Sequence, residues 1–416
     1  MNIDKSIEQT YNSYNQFLKL GTTKIKNKFL RTLAKKILES SNYILEQNTI
    51  DLKKGKEKGL SPSFLDRLTL TEKRIENITN SCLEIEKMDD PVGRVENMVK
   101  RPDGFSVGKM STPIGVIAII YESRPNVTVE ATTLCIKAGN AVVLRGGSDA
   151  YYSNKAFCLI IKEALGNVGL DPMLVTFIES REREIVNKIV RMDKFIHCII
   201  PRGGEDLISA VTQNATVPVL KHFKGVCHAY VSKMCDFEMA KRIVLNAKVQ
   251  RPSTCNSLET LLIDKAIADE FLPQIAELMI KNGVTLFGCA KTVVMLDGTI
   301  EQVSEKQLFN EYLDLKMSIK IVDSLDDAIK HINYYSSSHT DTIITNDIQT
   351  AESFLNRVDS SCVMVNASTR LSDGGVFGLG AEIGISTDRL HARGPMGINE
   401  LTTKKWIVKG NGQIRE

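Results

Sequence analysis

Cys255 is the residue of this sequence whose neighbours favour chemistry over packing. It lies in the polar segment 249–257, directly before an apolar run, and Arg251 precedes it in the same segment. The thiolate is the nucleophilic form of cysteine, and a nearby arginine or a helix N-terminus lowers the pKa of a cysteine from its free value of about 8.5. A free cysteine otherwise serves as a small buried filler. The neighbours of Cys255 predict a nucleophile.

The other cysteines and the histidines give no sign of a metal centre. The chain has nine cysteines without a Cys-x-x-Cys pair, and its six histidines are scattered. This pattern predicts a reduced, cytoplasmic location and no structural metal. The net charge of +3 is nearly balanced, so no nucleic-acid partner is predicted. No signal-like N-terminus and no apolar window of about 18 residues occurs, so no membrane span is predicted.

The hydrophobic pattern indicates the elements that must position Cys255. The chain has 416 residues, of which 43% are hydrophobic, and this length predicts two or three domains. Residues 4–90 show apolar residues at helical spacing. Short apolar runs at 115–121, 141–144, 174–178 and 195–200 then alternate with amphipathic stretches. This alternation predicts a mainly parallel sheet with helices on both faces.

A second alternating block follows, and Cys255 lies near its start. Strands are predicted near residues 258–263, 318–322, 341–345 and 362–366, with helices between them. The nucleophile therefore lies close to the junction of two α/β units, where ligand clefts commonly form.

Two further segments, 101–111 and 394–416, are predicted to form a two-stranded arm. Because such an arm is not stable alone, it either pairs with another subunit or folds back on its own domain.

Three glycine-containing segments suit a phosphorylated cofactor. The sequences Arg-Gly-Gly-Ser at 145–148 and Arg-Gly-Gly-Glu at 202–205 each follow a predicted strand and precede a helix. Glycine allows close backbone approach, a helix N-terminus favours anions, and arginine binds phosphate through two hydrogen bonds. One such turn is an ordinary connection, whereas two in one sheet predict a cofactor site. The third segment, 374–380, is either a mobile loop over a cleft or an irregular connection.

Several long motifs resemble those of one family. Residues 115–128, the segment around Cys255 and residues 374–397 are similar, in the same order, to the γ-glutamyl phosphate reductases of the aldehyde dehydrogenase superfamily. A discontinuous pattern between residues 322 and 343 matches that family's signature, and the similarity extends from about residue 5 to the C-terminus.

The resemblance implies an α/β, aldehyde dehydrogenase-like fold with two three-layer α/β domains and a small β oligomerisation arm. Residues 1–230 would form an NADP-binding domain, completed by about 367–393. Residues 231–366 would form the catalytic domain, and 101–111 with 394–416 the arm. The oligomer would be a dimer or a tetramer.

The resemblance also implies a reaction. The family reduces γ-glutamyl phosphate with NADPH to glutamate γ-semialdehyde and phosphate, the second step of proline biosynthesis from glutamate. Cys255 would attack the acyl phosphate, expel phosphate and form a thioester that accepts hydride. Asn126 and the Cys255 backbone N–H would stabilise the oxyanion, each such donor contributing about 3 kcal/mol. The alternative role of Asn126 is that of an N-cap near Pro125.

Cofactor and substrate contacts follow in part from the same resemblance. Arg145 suits the 2′-phosphate of NADPH, and Glu311 would contact the nicotinamide ribose unless it is a surface carboxylate. The candidate cofactor-binding residues are Arg145, Gly146, Gly147, Ser148, Gly203, Gly204 and Glu311. The candidate substrate clamps for phosphate and α-carboxylate are Arg124, Arg251, Arg370 and Arg389. Leu371 replaces the family's usual phenylalanine, which puts an aromatic contact there in doubt.

The region that carries a water-activating glutamate in the superfamily's hydrolytic members has no carboxylate here. It contains Lys221, His222 and Lys224 instead. Hydrolysis of a thioester would waste an acyl phosphate substrate, so this absence favours acyl phosphate reduction over aldehyde oxidation. His222 could act as a substitute base, but the three basic residues are better suited to attracting anions.

Two other interpretations remain open at this stage. The chain could be an oxidoreductase of the same fold that acts on another acyl phosphate or on an aldehyde. It could also be a catalytically silent binding or scaffold protein, although Cys255 and the two Arg-Gly-Gly turns argue against silence. Because no kinase-like domain is present in the sequence, a separate glutamate kinase is the predicted functional partner.

Overall fold

Five helices form the N-terminal layer of the structure, a computed structural model that describes residues 2–180, 182, 184–221 and 223–415. They are α1 (Ile3–Leu20), α2 (Thr23–Glu39), α3 (Ser41–Glu57), α4 (Pro62–Leu68) and α5 (Glu72–Lys87). Hydroxyl side chains at the caps of α2, α4 and α5 accept backbone N–H groups of the first turn, which satisfies donors that the helix leaves unpaired. The helices predicted for residues 4–90 are thus confirmed.

The later elements alternate between strands and helices. The helices are α6 (Asn126–Lys137), α7 (Tyr151–Asn167), α8 (Glu184–Ile189), α9 (Glu205–Asn214), α10 (Phe237–Val249), α11 (Lys265–Lys281), α12 (Ala290–Met295), α13 (Leu325–Tyr335) and α14 (Ile348–Arg357). The strands are β1 (Val95–Lys100), β2 (Ser106–Pro113), β3 (Val116–Tyr121), β4 (Ala141–Gly146), β5 (Val175–Phe177), β6 (Cys198–Arg202), β7 (Cys227–Val231), β8 (Leu258–Asp264), β9 (Thr285–Gly288), β10 (Glu301–Gln302), β11 (Lys316–Val322), β12 (Thr340–Ile344), β13 (Cys362–Val365), β14 (Gly384–Ser386), β15 (Gly394–Met396) and β16 (Thr402–Lys409).

The first sheet is parallel and has the order β5-β4-β3-β6. Every residue of β3 is buried, because the N-terminal helices and the connecting helices cover the sheet and parallel sheets bury both faces. Tyr121 at the end of β3 is paired with Gly146 of β4 and with Arg202 of β6. The two Arg-Gly-Gly turns therefore lie on either side of β3, at the carboxyl edge of the sheet.

The second sheet is also parallel and has the order β10-β9-β11-β8-β7-β12-β13. Two apolar clusters cover its faces, and β8 at its centre is buried throughout. The predicted parallel α/β architecture is confirmed for both blocks. The strand β7 was not predicted, and it belongs to this sheet from Cys227 onward, so the predicted boundary at residue 230 falls inside a strand.

The arm is a three-stranded antiparallel sheet in the order β1-β2-β16. The strand β16 pairs with β2 along its whole length, from Thr402 opposite Pro113 to Lys409 opposite Ser106. The prediction named two strands of this arm and missed β1. The segment Gly394–Met396, which the prediction placed in the arm, instead pairs with Gly384–Ser386. None of the helices in the described residues is long and apolar enough to cross a membrane.

Candidate active site

The Cys255 loop joins the end of α10 to the start of β8, at the amino edge of the second sheet. Its turn is closed by the Ser257 N–H, which donates to the Thr254 carbonyl at 2.9 Å, and by the Thr254 hydroxyl, which donates to the Arg251 carbonyl at 2.9 Å. Cys255 itself remains partly exposed. The loop thus presents one thiol to solvent on a hydrogen-bonded turn.

Remote segments fix this loop from one side. The Asn256 amide donates to the Ser372 carbonyl at 2.9 Å, and the Thr369 hydroxyl donates to the Asn256 carbonyl at 2.7 Å. Arg370 donates to the side chains of Gln250 and Asn256. The segment 369–372 therefore holds the residue next to the nucleophile through both its side chain and its backbone.

A buried ion pair joins the two elements that flank the loop. Lys248, near the end of α10, donates to Glu259 of β8 at 2.9 Å, and both side chains are fully buried. Burial raises the pKa of Glu259, against the opposing effect of Lys248, and burial also lowers the pKa of Lys248. The pair links the end of α10 to the start of β8 behind the Cys255 turn.

The chain before β7 packs directly against Cys255. A Cβ atom at Gly225 would overlap the Cys255 carbonyl group, so only glycine fits this close approach. The Cys227 thiol donates to the same carbonyl oxygen at 3.2 Å. The Gly225 N–H also hydrogen-bonds the Glu311 carboxylate, whose pKa is nevertheless raised by burial. Glu311 therefore lies beside the Cys255 loop.

Three of the four arginines predicted as substrate clamps lie around the Cys255 loop, namely Arg124, Arg251 and Arg370. Desolvation lowers the pKa of Arg370, and the nearby charge of Arg251 lowers it further. Desolvation also lowers the pKa of Arg124, and the charge of Cys255 acts in the opposite direction on both Arg370 and Arg124. Arg389 differs, since it is 76% exposed and forms an ion pair with Asp359.

Asn126 does not act as the N-cap of α6. It is the first residue of the helix, Pro125 occupies the cap position, and the Asn126 amide donates to Glu130 at 2.9 Å. Burial raises the pKa of Glu130, while Asn126, Arg202 and Arg124 oppose this shift. Glu130 was not predicted as a site residue, and Arg202 was predicted only as part of the second Arg-Gly-Gly turn. The spacing of Glu130 from Asn126 on a helix and the place of Arg202 in the second Arg-Gly-Gly turn were the available signals.

The two glycine turns differ in how their backbone groups are used. The Gly204 N–H, at the start of α9, already donates to the Glu122 carboxylate at 2.9 Å. A Cβ atom at Gly203 would lie 2.7 Å from the same carboxylate. In the first turn a Cβ atom at Gly147 would lie 3.2 Å from the Ser123 N, and Ser148 is exposed at the start of a short 3₁₀ helix. Burial raises the pKa of the Tyr121 phenol, and the nearby charge of Arg145 opposes this shift.

The predicted basic cluster is largely paired. Lys221 binds Asp388 at 2.9 Å and Lys224 binds Glu205 at 3.2 Å, while His222 lies outside the described residues. The segment 374–380 is an irregular connection in which the Leu379 N–H donates to the Gly374 carbonyl at 2.7 Å.

The Gly374 N–H donates in turn to Glu382 at 2.8 Å. Burial raises the pKa of Glu382, and Arg202 opposes that shift. Over the described residues, no group of three His, Cys, Asp or Glu side chains is arranged to hold a metal ion.

Comparisons with known proteins agree with this geometry. The model of the aldehyde dehydrogenase family matches residues 19–285, more than half of the chain. The fold and the cysteine loop thus define a protein of the aldehyde dehydrogenase class. An engineered glycolyl-CoA reductase with bound NADP+ is 15% identical with a TM-score of 0.67, covers 97% of this chain and 96% of its own, and shares the fold.

More similar proteins narrow the class. The γ-glutamyl phosphate reductase of Thermodesulfovibrio yellowstonii is 50% identical over 401 residues, 96% of each chain. That of Dictyoglomus turgidum is 50% identical over 414 residues, 100% of this chain and 99% of its own. The crystal structure of the γ-glutamyl phosphate reductase from Thermotoga maritima is 44% identical with a TM-score of 0.97 over the full length of both chains. The chain belongs to the γ-glutamyl phosphate reductases of the aldehyde dehydrogenase family, whose members are oxidoreductases that use a nicotinamide cofactor.

Proposed function

We propose that this chain reduces γ-glutamyl phosphate to glutamate γ-semialdehyde with NADPH, and that Cys255 is the nucleophile. The observation that supports this most directly is the Cys255 loop itself. A partly exposed thiol stands on a turn held by the buried Lys248–Glu259 pair. Three arginines lie around it, and the Glu311 carboxylate lies beside it. This arrangement suits covalent catalysis on an anionic acyl donor.

The first chemical step needs only residues of this chain. The Cys255 sulfur attacks the γ-carbonyl carbon of the acyl phosphate, a tetrahedral intermediate forms, and the carbon–oxygen bond to phosphate breaks. The electron pair and the thiol proton leave with the phosphate, and a thioester to Cys255 remains. Arg124, Arg251 and Arg370 supply the positive charge that binds the dianionic leaving group and the α-carboxylate. Arg389 would have to leave Asp359 before it could join them.

The oxyanion of the tetrahedral intermediate requires hydrogen-bond donors. The amide of Asn126 has two N–H groups, and Glu130 uses one of them, so the second is free to serve the intermediate. The backbone N–H of Cys255 is the other proposed donor. Glu130 would orient the Asn126 amide, which gives this carboxylate a positioning role that the sequence did not suggest.

The residues at the carboxyl edge of the first sheet fit a dinucleotide. In the turn 145–148, neighbouring atoms occupy the space that a Cβ atom at Gly146 or Gly147 would need. Arg145 lies near the end of β4, where its guanidinium suits a 2′-phosphate. When bound, the reduced nicotinamide supplies the hydride that converts the thioester to the aldehyde. In the turn 202–205 the Gly204 N–H is occupied by Glu122, so its use for a phosphate requires that carboxylate to move. Gly146, Gly147, Ser148 and Gly203 line these turns, and Glu311 lies on the other side near Cys255.

No carboxylate in the described part of segment 219–225 can activate water, because Lys221 and Lys224 are its titratable side chains and both are paired. A thioester formed at Cys255 therefore meets no water-activating carboxylate from this segment. This feature supports acyl phosphate reduction over oxidation of an aldehyde to a free acid.

The arm supports the predicted homo-oligomer. Val99 of β1, Val107 of β2 and Val408 of β16 lie opposite one another in register, and Trp406 shares their face. Val408 is 62% and Trp406 66% exposed, which is unusual for an apolar row unless another surface covers it. A second copy of the chain is the proposed cover, in a cytoplasmic dimer or tetramer. The acyl phosphate itself would come from a separate glutamate kinase.

The test runs the reaction in reverse. Purified protein is supplied with pyrroline carboxylate (the cyclised semialdehyde), NADP+ and phosphate, and NADPH formation is followed by absorbance. Turnover that requires phosphate and disappears in Cys255→Ala is expected. Cys289→Ala is the matched control, because Cys289 is also partly exposed but lies after β9, at the N-cap of α12. Turnover without phosphate would indicate an aldehyde dehydrogenase, and no turnover in any combination would contradict the proposed function.

A further inference from the structure

We propose that Cys227 and Cys255 form a reversible disulfide when the nucleophile is oxidised, so that Cys227 protects Cys255 from irreversible loss. The proposal rests on the placement of the two thiols. The Cys227 Sγ lies 3.2 Å from the carbonyl oxygen of Cys255. That oxygen and the Cys255 Sγ belong to the same residue, so the two thiols are close neighbours, and a disulfide requires the Cys255 side chain to turn toward Cys227.

The packing around the two cysteines favours this pairing. Gly225 presses the segment before β7 against the Cys255 backbone so closely that a Cβ atom would overlap it. The loop is also held by Asn256, through Ser372 and Thr369. Because both backbones are fixed, a disulfide would form by side-chain rotation, without separating β7 from β8.

The two thiols have different environments, as an oxidation-sensitive pair requires. Cys255 is partly exposed, so peroxide can reach it. Cys227 is fully buried, and burial raises its pKa well above the usual value, so it is not oxidised first. The Nδ1 atom of His339 lies 3.9 Å from the Cys227 Sγ. Burial lowers the pKa of His339 to about 4, so this neutral imidazole adds no positive charge that would ionise the Cys227 thiol.

The chemistry balances with hydrogen peroxide as the oxidant. The Cys255 sulfur attacks one peroxide oxygen, the O–O bond breaks, and a sulfenic acid and water result. The Cys227 sulfur then attacks the sulfenic sulfur, an S–S bond forms, the S–O bond breaks, and the hydroxyl leaves with the Cys227 proton as water. Two thiols are oxidised by two electrons, and one peroxide is reduced to two waters.

The test treats the full-length protein with excess hydrogen peroxide, blocks the remaining thiols under denaturing conditions and identifies linked peptides by mass spectrometry. In the wild type we expect a peptide pair joined through Cys227 and Cys255, and activity restored at least about ten-fold by dithiothreitol. In Cys227→Ala the linked pair should be absent, and Cys255 should carry two or three added oxygens that dithiothreitol does not remove. Cys362→Ala is the matched control and should behave as the wild type.

Several outcomes would overturn the proposal. One is an oxidised wild type in which Cys227 is still alkylated, and another is Cys255 joined to a different cysteine. Recovery of Cys227→Ala to the wild-type extent would also contradict it. The linked peptide is detected in the wild type, so the proposal remains testable if Cys227→Ala does not fold. The loss of activity rests on the proposed role of Cys255, but the disulfide does not, and a linked peptide in a protein that retains activity would contradict only that role.

Discussion

The two parallel sheets place their functional residues at opposite edges. In the first sheet the Arg-Gly-Gly turns follow β4 and β6, so they lie at the carboxyl edge on either side of β3. In the second sheet Cys255 precedes β8, so it lies at the amino edge. Lys224, which precedes β7, binds Glu205 at the start of α9, and the adjacent Gly225 packs against Cys255. The two edges therefore lie close together, and the region between them is the candidate active site.

The two edges are built by different physical means. The carboxyl edge uses glycines where neighbouring atoms leave no room for a side chain, as at Gly147 and Gly203, and this brings backbone groups close to a ligand. The amino edge uses a buried charge pair and long-range hydrogen bonds to hold one thiol. The first edge is therefore suited to binding and the second to a fixed nucleophile.

The largest effect is expected at the amino edge. Replacing Cys255 with alanine removes the nucleophile, so kcat should fall by about 10⁴-fold or more while the melting temperature stays near that of the wild type. Steady-state kinetics and thermal unfolding measure the two quantities, and Cys289→Ala should leave kcat unchanged. Residual activity of Cys255→Ala within ten-fold of the wild type would mean that another group carries the chemistry.

The next largest effect concerns the ion pair behind the nucleophile. Glu259→Gln leaves the buried Lys248 without its carboxylate, which should lower the free energy of unfolding by about 3–5 kcal/mol. Glu238→Gln on α10, the helix that carries Lys248, removes an exposed partner of Lys241 and should cost little, since exposed ion pairs contribute about 0–1 kcal/mol. Urea unfolding compares the two variants. Equal free energies of unfolding for the two variants would show that the buried pair does not stabilise the fold.

Acid should destabilise the second sheet through its buried histidines. Burial lowers the pKa of His339 from 6.5 to about 4 and that of His331 to about 2. A histidine whose pKa is lowered in the folded state contributes its full stability only above the unfolded-state pKa of about 6.5. As the pH falls below that value, the unfolded chain takes up a proton that the folded chain does not, and the folded state loses this stability. Between pH 7 and pH 5 the loss should be about 2 kcal/mol for each histidine.

Unfolding in urea at several pH values measures this loss. His339→Asn should reduce the loss between pH 7 and pH 5 by about half, or about 2 kcal/mol, whereas His391→Asn, at an exposed site, should leave it unchanged. A loss that is undiminished in both His339→Asn and His331→Asn would assign the acid sensitivity to other groups.

The smallest effect is expected at the carboxyl edge. Arg145→Gln removes the proposed partner of the 2′-phosphate, so the KM for NADPH should rise about ten-fold, equivalent to about 1.4 kcal/mol, with kcat little changed. The KM for NADH, which has no 2′-phosphate, should not rise. Equal increases for both cofactors would show that Arg145 supports the turn and does not select the cofactor.

Much of this arrangement could be predicted from the sequence. Both α/β blocks could be predicted, because the spacing of apolar residues alternates along the chain between that of a helix and that of a strand. The strand Cys227–Val231 was missed because its five residues follow a polar segment without strong alternation. The helix caps at Thr22, Ser61 and Thr71 carry the residue types that begin helices. The third strand of the arm was missed because Val95–Lys100 is mostly exposed and has no hydrophobic run.

The candidate site was predictable only in part. Cys255 and the two glycine turns were identified by their local neighbours. Arg389 has the residue type expected of an anion clamp, but the sequence does not show its ion pair with Asp359. The roles of Gly225, Glu130 and Arg202 also went unrecognised, because each depends on contacts with residues far away in the chain.

The sequence by itself determined the two α/β blocks, the polar turn that carries the thiol and the glycine turns that end two strands. These features depend on local residue types and on short periods that a single segment contains. Only the tertiary structure decided that Gly225 contacts Cys255, that Asn256 is held by Ser372 and that Lys248 meets Glu259 in the core. Such contacts arise when distant segments pack together, and no local pattern encodes which partners will meet.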